Sequence, residues 1–156
     1  MNTISTQYPT LQMGAQGAAV KTLQQLLNQR VSRDYMVSVD GIFGAKTESA
    51  VKAFQYSKLL RKDGIVGPKT WQALQTNMPP AMPVIRRSSK GEAVAIAQVL
   101  LKEAGIYKGV VDSNFGPQTE VAVRAFQTAQ SLIVDGVIGN KTWAAFSGLA
   151  AYLAFD

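Results

Sequence analysis

Apolar side chains recur along this chain at helical spacing in six places. Over residues 18–30, Val20, Leu23, Leu26 and Leu27 fall near i, i+3, i+6 and i+7, which is one face of a helix starting after Gly17. A second helix is predicted after Phe43-Gly44, with Ala50, Val51 and Phe54 facing inward. A third, shorter one starts at Gly67-Pro68 and turns Trp71 and Leu74 to the core; proline suits the first helical position, where its missing N–H is not needed. The same three stripes return as Val94, Ala97 and Leu101, then Ala122, Val123 and Phe126 after Gly116-Pro117, then Trp143 and Phe146 after Gly139-Asn140. Leu149 and Leu153 continue the last stripe, so the sixth helix is expected to run on and bury it against the first half of the chain.

The return of the pattern is a repeat in the strict sense. Residues 39–73 and 111–145 agree at 19 of 35 positions at an offset of 72. Upstream the match continues at an offset of 74, through Pro9/Pro83, Gly17/Gly91, Val20/Val94, Gln24/Gln98 and Leu27/Leu101. The first copy therefore holds two extra residues between Leu27 and Asp40. A small unit used twice replaces the one-domain reading that length alone would suggest. The expected division is a first repeat over residues 1–77, a proline-rich linker over 78–84, and a second repeat with a helical extension over 85–156.

Asp40-Gly41, Asp63-Gly64 and Asp135-Gly136 mark tight turns between helices, the carboxylate accepting from nearby backbone N–H groups and the glycine taking positive φ. Short extended pairings beside these turns fit the same pattern. The second copy departs at Asp112-Ser113-Asn114, where serine replaces glycine. A left-handed serine costs about 1 kcal/mol or more, so the turn is expected to shift by one, onto Asn114. Gly105 offers a helix stop where the first copy has Val31 and a longer loop.

Units of about 70 residues lie near the lower size limit for a self-sufficient core. The chain has no cysteine and no histidine, which removes disulfides, the common zinc sites, and Cys- or His-based catalysis. Packing of one repeat against the other is the expected support. No apolar run reaches transmembrane length, and the polar N-terminus shows no secretory signal. Charge is uneven: nine Lys/Arg against four Asp/Glu gives +5 in residues 1–77, and seven against six gives +1 in residues 78–156. The basic half suits an anionic polymer.

The motifs L-x-x-G-x-x-G-x-x-V-x-x-L-Q-x-x-L, V-D-G-I-F-G-x-x-T-x-x-A-V-x-x-F-Q and D-G-I-V-G-P-K-T-W-x-A-L together resemble the peptidoglycan-binding-like domain, closely over residues 11–74 and slightly less so over 85–146. The resemblance implies an all-α fold of two tandem three-helix bundles packed together. It also implies non-catalytic attachment to peptidoglycan or a related anionic wall polymer, in the cell envelope. The fold also occurs in matrix metalloproteinase prodomains, so fold alone does not fix the ligand.

Both tryptophans and the phenylalanines are expected in the core, and Thr47, Thr70, Thr119 and Thr142 near helix starts, bonding a free N–H or the turn aspartate. Candidate ligand contacts are Asp40, Lys46, Gln55, Tyr56, Arg61, Lys62 and Asp63. They combine turn carboxylates, an aromatic face and a cluster of cations. The second copy has Gln118, Ile133 and Val134 in place of Lys46, Arg61 and Lys62, so the first repeat is expected to be the main binding unit. The expected protein is a monomer with no cofactor, no metal, no catalytic residue, no membrane insertion and no specific nucleic-acid partner. An intracellular interaction or regulatory module keeping the fold without wall binding is the alternative.

Overall fold

The computed structural model describes residues 8–155; residues 1–7 and 156, and with them the polar N-terminal stretch, lie outside it. Six α-helices are present among the described residues: α1 (Ala18–Arg30), α2 (Ala45–Ser57), α3 (Pro68–Thr76), α4 (Glu92–Glu103), α5 (Pro117–Ala129) and α6 (Asn140–Phe155). The helix starts predicted after Gly17, Gly44 and Gly67, and at Pro117, are the observed ones. None of the described helices is long and apolar enough to cross a membrane. The described chain divides into two compact units, residues 8–80 together with 154–155, and residues 81–153.

In the first unit α1, α2 and α3 close around Val20, Leu23, Leu27, Phe43, Val51, Phe54, Val66, Trp71 and Leu74. Each of these is at most 1% exposed. The segment leading into α1 runs beside both interhelix loops. Leu11 exchanges two backbone hydrogen bonds with Val66 (3.1 and 2.8 Å), and Gly17 N donates to Gly41 O (2.9 Å). These are the short extended pairings expected beside the turns, formed as single antiparallel bridges. Trp71 caps the core: its indole N–H donates to Pro9 O (2.9 Å), and Tyr8 stacks on it at 4.4 Å.

The second unit repeats the arrangement. Ile85 pairs with Ile138, Phe126 stacks on Phe146 at 4.5 Å, and the Trp143 indole donates to Pro83 O at 2.7 Å. Helix α6 has 16 residues against nine in α3, so the last helix does run on. Phe146 and Ala150 are fully buried, whereas Leu149 and Leu153 are half-buried. The two extra residues of the first unit go into the α1–α2 loop, which forms a short 3₁₀ turn at Arg33–Tyr35 and is pinned by Asn28 exchanging two 2.8 Å bonds with the Val37 backbone. In the second unit Gly105 adopts φ +81°, and Ile106 N donates back to Leu101 O, a left-handed helix stop.

One turn differs from expectation. The turn at Asp112 is not shifted: Ser113 itself takes φ +65°, close to the +76° of Gly41. Asp112 Oδ1 still accepts from Asn114 N two residues on (2.9 Å), as Asp40 Oδ1 does from Ile42 N (3.0 Å). The tertiary bonds of this loop outweigh the serine's steric cost. Ser113→Gly removes a strain of about 1–2 kcal/mol and adds unfolded-state freedom worth slightly less, so a net gain of about 0.5–1 kcal/mol is expected in urea melts. An unchanged or lower midpoint would count against strain at this residue.

Candidate functional site

Four loops share one internal support. The pattern Asp-x-x-apolar-Gly-x-x-Thr occurs at residues 40–47, 63–70, 112–119 and 135–142. Each unit is thus itself built from two similar loops. A glutamine from the preceding helix enters each loop from below. Gln24 Nε2 donates to Asp40 Oδ1 (3.0 Å), Ile42 O (3.1 Å) and Thr47 Oγ1 (3.2 Å), while its Oε1 accepts from Asp40 N and Gly41 N. Gln55 does the same with Asp63, Ile65 and Thr70, and accepts from Gly64 N. Gln98 serves Asp112, Asn114 and Thr119, and Gln127 serves Asp135, Val137 and Thr142.

The four glutamines are 0–1% exposed and the four threonines at most 5%. A buried carboxamide is tolerated only when both of its ends are bonded. Here both ends are bonded to the loop, so the loop conformation and the helix position are fixed together. The threonines do sit near helix starts, but their hydroxyls accept from glutamine instead of bonding the turn aspartate or a free N–H. The glycines preceding the helices provide no side-chain cap.

The clasp sets the electrostatics of the turn carboxylates. Asp40 lies below its usual value because Ile42 N–H and then the Gln24 amide donate to it. Asn114 N–H and Gln98 act likewise on Asp112, and Val137 N–H and Gln127 on Asp135. Glu120 is lowered by Arg124 and then Arg87, whose Nε lies 2.8 Å from Oε1. A carboxyl lowered in the folded state contributes stability that is complete above its unfolded value of about 4 and lost as pH falls through the folded one. Stability is therefore expected to hold flat from neutral pH to about pH 4 and then fall. Circular dichroism of urea midpoints against pH checks this, and a decline beginning near pH 6 would contradict it.

The residues singled out from sequence gather at the two ends of α2 and the loops beside them. Asp40 lies in the α1–α2 loop, held by Gln24 of α1, and the exposed Lys46 stands in the first turn of α2. Gln55 and Tyr56 end α2, and Arg61, Lys62 and Asp63 lie in the α2–α3 loop that follows. There Gln55 bonds Asp63 directly, and the Lys62 ammonium lies 5.4 Å over the Tyr56 ring. Arg61 and Lys62 are exposed, and Tyr56 is half-buried. Gln55 was expected at the ligand surface and is corrected: at 1% exposure its amide is spent inside the loop, so it can act on a ligand only by holding Asp63 and its neighbours. Lys58 is also occupied, donating to Asn77 O (3.0 Å) beside Arg30, which donates to Leu74 O (2.8 Å). Burial, and then Arg30, hold the Lys58 ammonium below the usual lysine range.

The α5–α6 loop of the second unit frames a groove of about 270 Å³ lined by Ser131, Leu132, Ile133, Asp135, Val137 and Lys141, with Gln127, Gly139 and Thr142 at its base. At the offset of 72 the lining corresponds to Leu59, Leu60, Arg61, Asp63, Ile65 and Lys69 of the first unit. The stretch singled out from sequence lies on the equivalent loop of the first unit, and sequence reasoning did not single out the second unit's version of it. Gln24 and Gln98 were missed as well. The available signal was that each is a polar residue retained in both copies beside core leucines of a helical stripe.

A family model described as peptidoglycan binding domain matches twice, over residues 16–74 and 90–146. The N-acetylmuramoyl-L-alanine amidase CwlM of Mycobacterium tuberculosis is 36% identical over 106 residues, 65% of this chain and 26% of its own length. The N-acetylmuramoyl-L-alanine amidase CwlL of Bacillus licheniformis is 31% identical over 156 residues, 85% of this chain and 43% of its own. This chain thus spans less than half the length of either amidase. Among solved structures, the SleB N-terminal domain is 40% identical, covering 45% of this chain and 96% of that one, with a TM-score of 0.44.

Proposed function

Because the chain belongs to the peptidoglycan binding domain family, we propose that it attaches non-catalytically to bacterial cell-wall peptidoglycan in the envelope, mainly through the first unit. The observation that carries the role of the first unit is the cationic edge of its α2–α3 loop. Arg61 and Lys62 are exposed there, Lys62 lies over Tyr56, and Gln55 holds the loop beneath them. Wall polymers carry carboxylates and phosphates, which these cations meet from a loop whose backbone is already held in place, so only side chains need to be ordered on binding. The net charge of +5 over residues 1–77 adds longer-range attraction.

The non-catalytic reading is supported by the carboxylates. A general acid needs a raised pKa, whereas Asp40, Asp112, Glu120 and Asp135 are all held low by hydrogen bonds and ion pairs. The enzymatic activity named for the amidase relatives belongs to those longer proteins.

Co-sedimentation with purified sacculi at moderate salt is the test. The wild-type chain is expected in the pellet. Arg61→Glu with Lys62→Glu is expected to weaken binding about tenfold, in line with two surface charge contacts of under 1 kcal/mol each. Folded wild-type protein recovered only in the supernatant would overturn the proposal. Release of soluble fragments from the sacculi would overturn its non-catalytic part.

A further inference from the structure

We infer that the groove beneath the α5–α6 loop receives the peptide stem of peptidoglycan and not its sugar chain. This rests on peptidoglycan being the ligand and adds which half of that ligand the second unit reads.

Sugar rings are usually held against aromatic faces, and the groove has none among its lining residues. The neighbouring rings are committed to the core: Trp143 is 4% exposed with its N–H bonded to Pro83 O, and Phe126 and Phe146 stack on each other. Tyr152 is exposed but stands ten residues beyond Thr142 on α6, about 15 Å along the helix axis.

What the groove does offer is apolar wall with one charge of each sign. Ile133 is 80% exposed, and Leu132 and Val137 line the groove with it. Lys141 is exposed at the rim. Asp135 uses Oδ1 for Val137 N and Gln127 Nε2, while its other oxygen has no partner among the described residues. A peptide stem matches this set. It presents terminal carboxylate to an ammonium, the amine of a diamino acid to a carboxylate, and alanine methyls to an apolar wall. A glycan strand stripped of its peptides carries no ammonium at all.

Size agrees. The groove is just under the roughly 300 Å³ at which small-molecule pockets begin, so it suits the end of a short peptide. The first unit places Leu59 and Arg61 where the second has Ser131 and Ile133, so this combination belongs to the second unit alone.

The test is chemical-shift mapping on the full chain with two probes: a free tetrapeptide stem containing a diamino acid, and peptide-stripped glycan strands. The tetrapeptide is expected to move the amides of residues 131–139 and 141, and the glycan to leave them in place. Lys141→Gln should weaken tetrapeptide binding about tenfold while the chain still pellets with sacculi. Groove shifts with glycan alone, or no groove shifts with tetrapeptide from a chain that pellets with sacculi, would overturn the inference and leave wall binding standing. A chain that does not pellet would remove both.

Discussion

Gln55→Glu is expected to destabilise the first unit by about 3–5 kcal/mol, although the two side chains have nearly the same shape. The substitution replaces an NH₂ donor with an oxygen at a point where three acceptors converge: Asp63 Oδ1 at 3.0 Å, Ile65 O at 3.0 Å and Thr70 Oγ1 at 3.1 Å. Each acceptor left dry costs about 1–3 kcal/mol, and a second carboxylate now faces that of Asp63. Small domains have about 5–15 kcal/mol in all, with units of this size at the lower end, so much of the unit should unfold at room temperature. Gln25→Glu, on the exposed side of α1, is the control and should change stability by less than about 0.5 kcal/mol. Urea titration followed by tryptophan fluorescence reads both. A Gln55→Glu protein as stable as wild type would show that the clasp is not what holds the loop.

Trp71→Ala carries the second large effect. The side chain is fully buried, bonded to Pro9 O and stacked under Tyr8. Truncating a buried tryptophan costs about 3–5 kcal/mol, and the lost ring pair adds about 0.5–1.5 kcal/mol. Trp71→Phe keeps most of the apolar contact but strands one carbonyl, so a loss of about 1–2 kcal/mol is expected. The phenylalanine variant also separates structure from recognition. With the indole acting only as core, it should pellet with sacculi like wild type. Normal stability with lost binding would instead make Trp71 a sugar platform.

The helices were legible because burial imposes a period that the chain must write out. Val20, Leu23 and Leu27, or Ala50, Val51 and Phe54, have no other reason to fall on one face. The turn aspartates were legible because an Asp-Gly pair has few alternative uses. Gln55 was not, since glutamine is mostly a surface residue and sequence gives no direction for a side chain beside a core phenylalanine. Its partners lie 8–15 residues away, in a loop whose path only the fold defines. Ser113 misled for a related reason: local preference argued for moving the turn, and bonds from a distant helix kept it in place. The groove of the second unit exists only when Ile133, Asp135 and Lys141 are brought to one rim, which their spacing alone does not reveal.

The glutamine clasp also has an evolutionary consequence. It uses one helix residue, the loop's Asp and Thr, and the peptide groups between them. No glutamine bonds the side chains at the second, fifth and sixth places after each aspartate: Ile42, Ala45 and Lys46; Ile65, Pro68 and Lys69; Asn114, Pro117 and Gln118; Val137, Asn140 and Lys141. Of these twelve only Val137 is not exposed. Scaffold and display are thereby uncoupled, so the outward positions of each loop can drift to new ligands while the backbone stays fixed. The same uncoupling makes the unit a candidate frame for selected binders, with diversity confined to those positions and the four clasps left untouched.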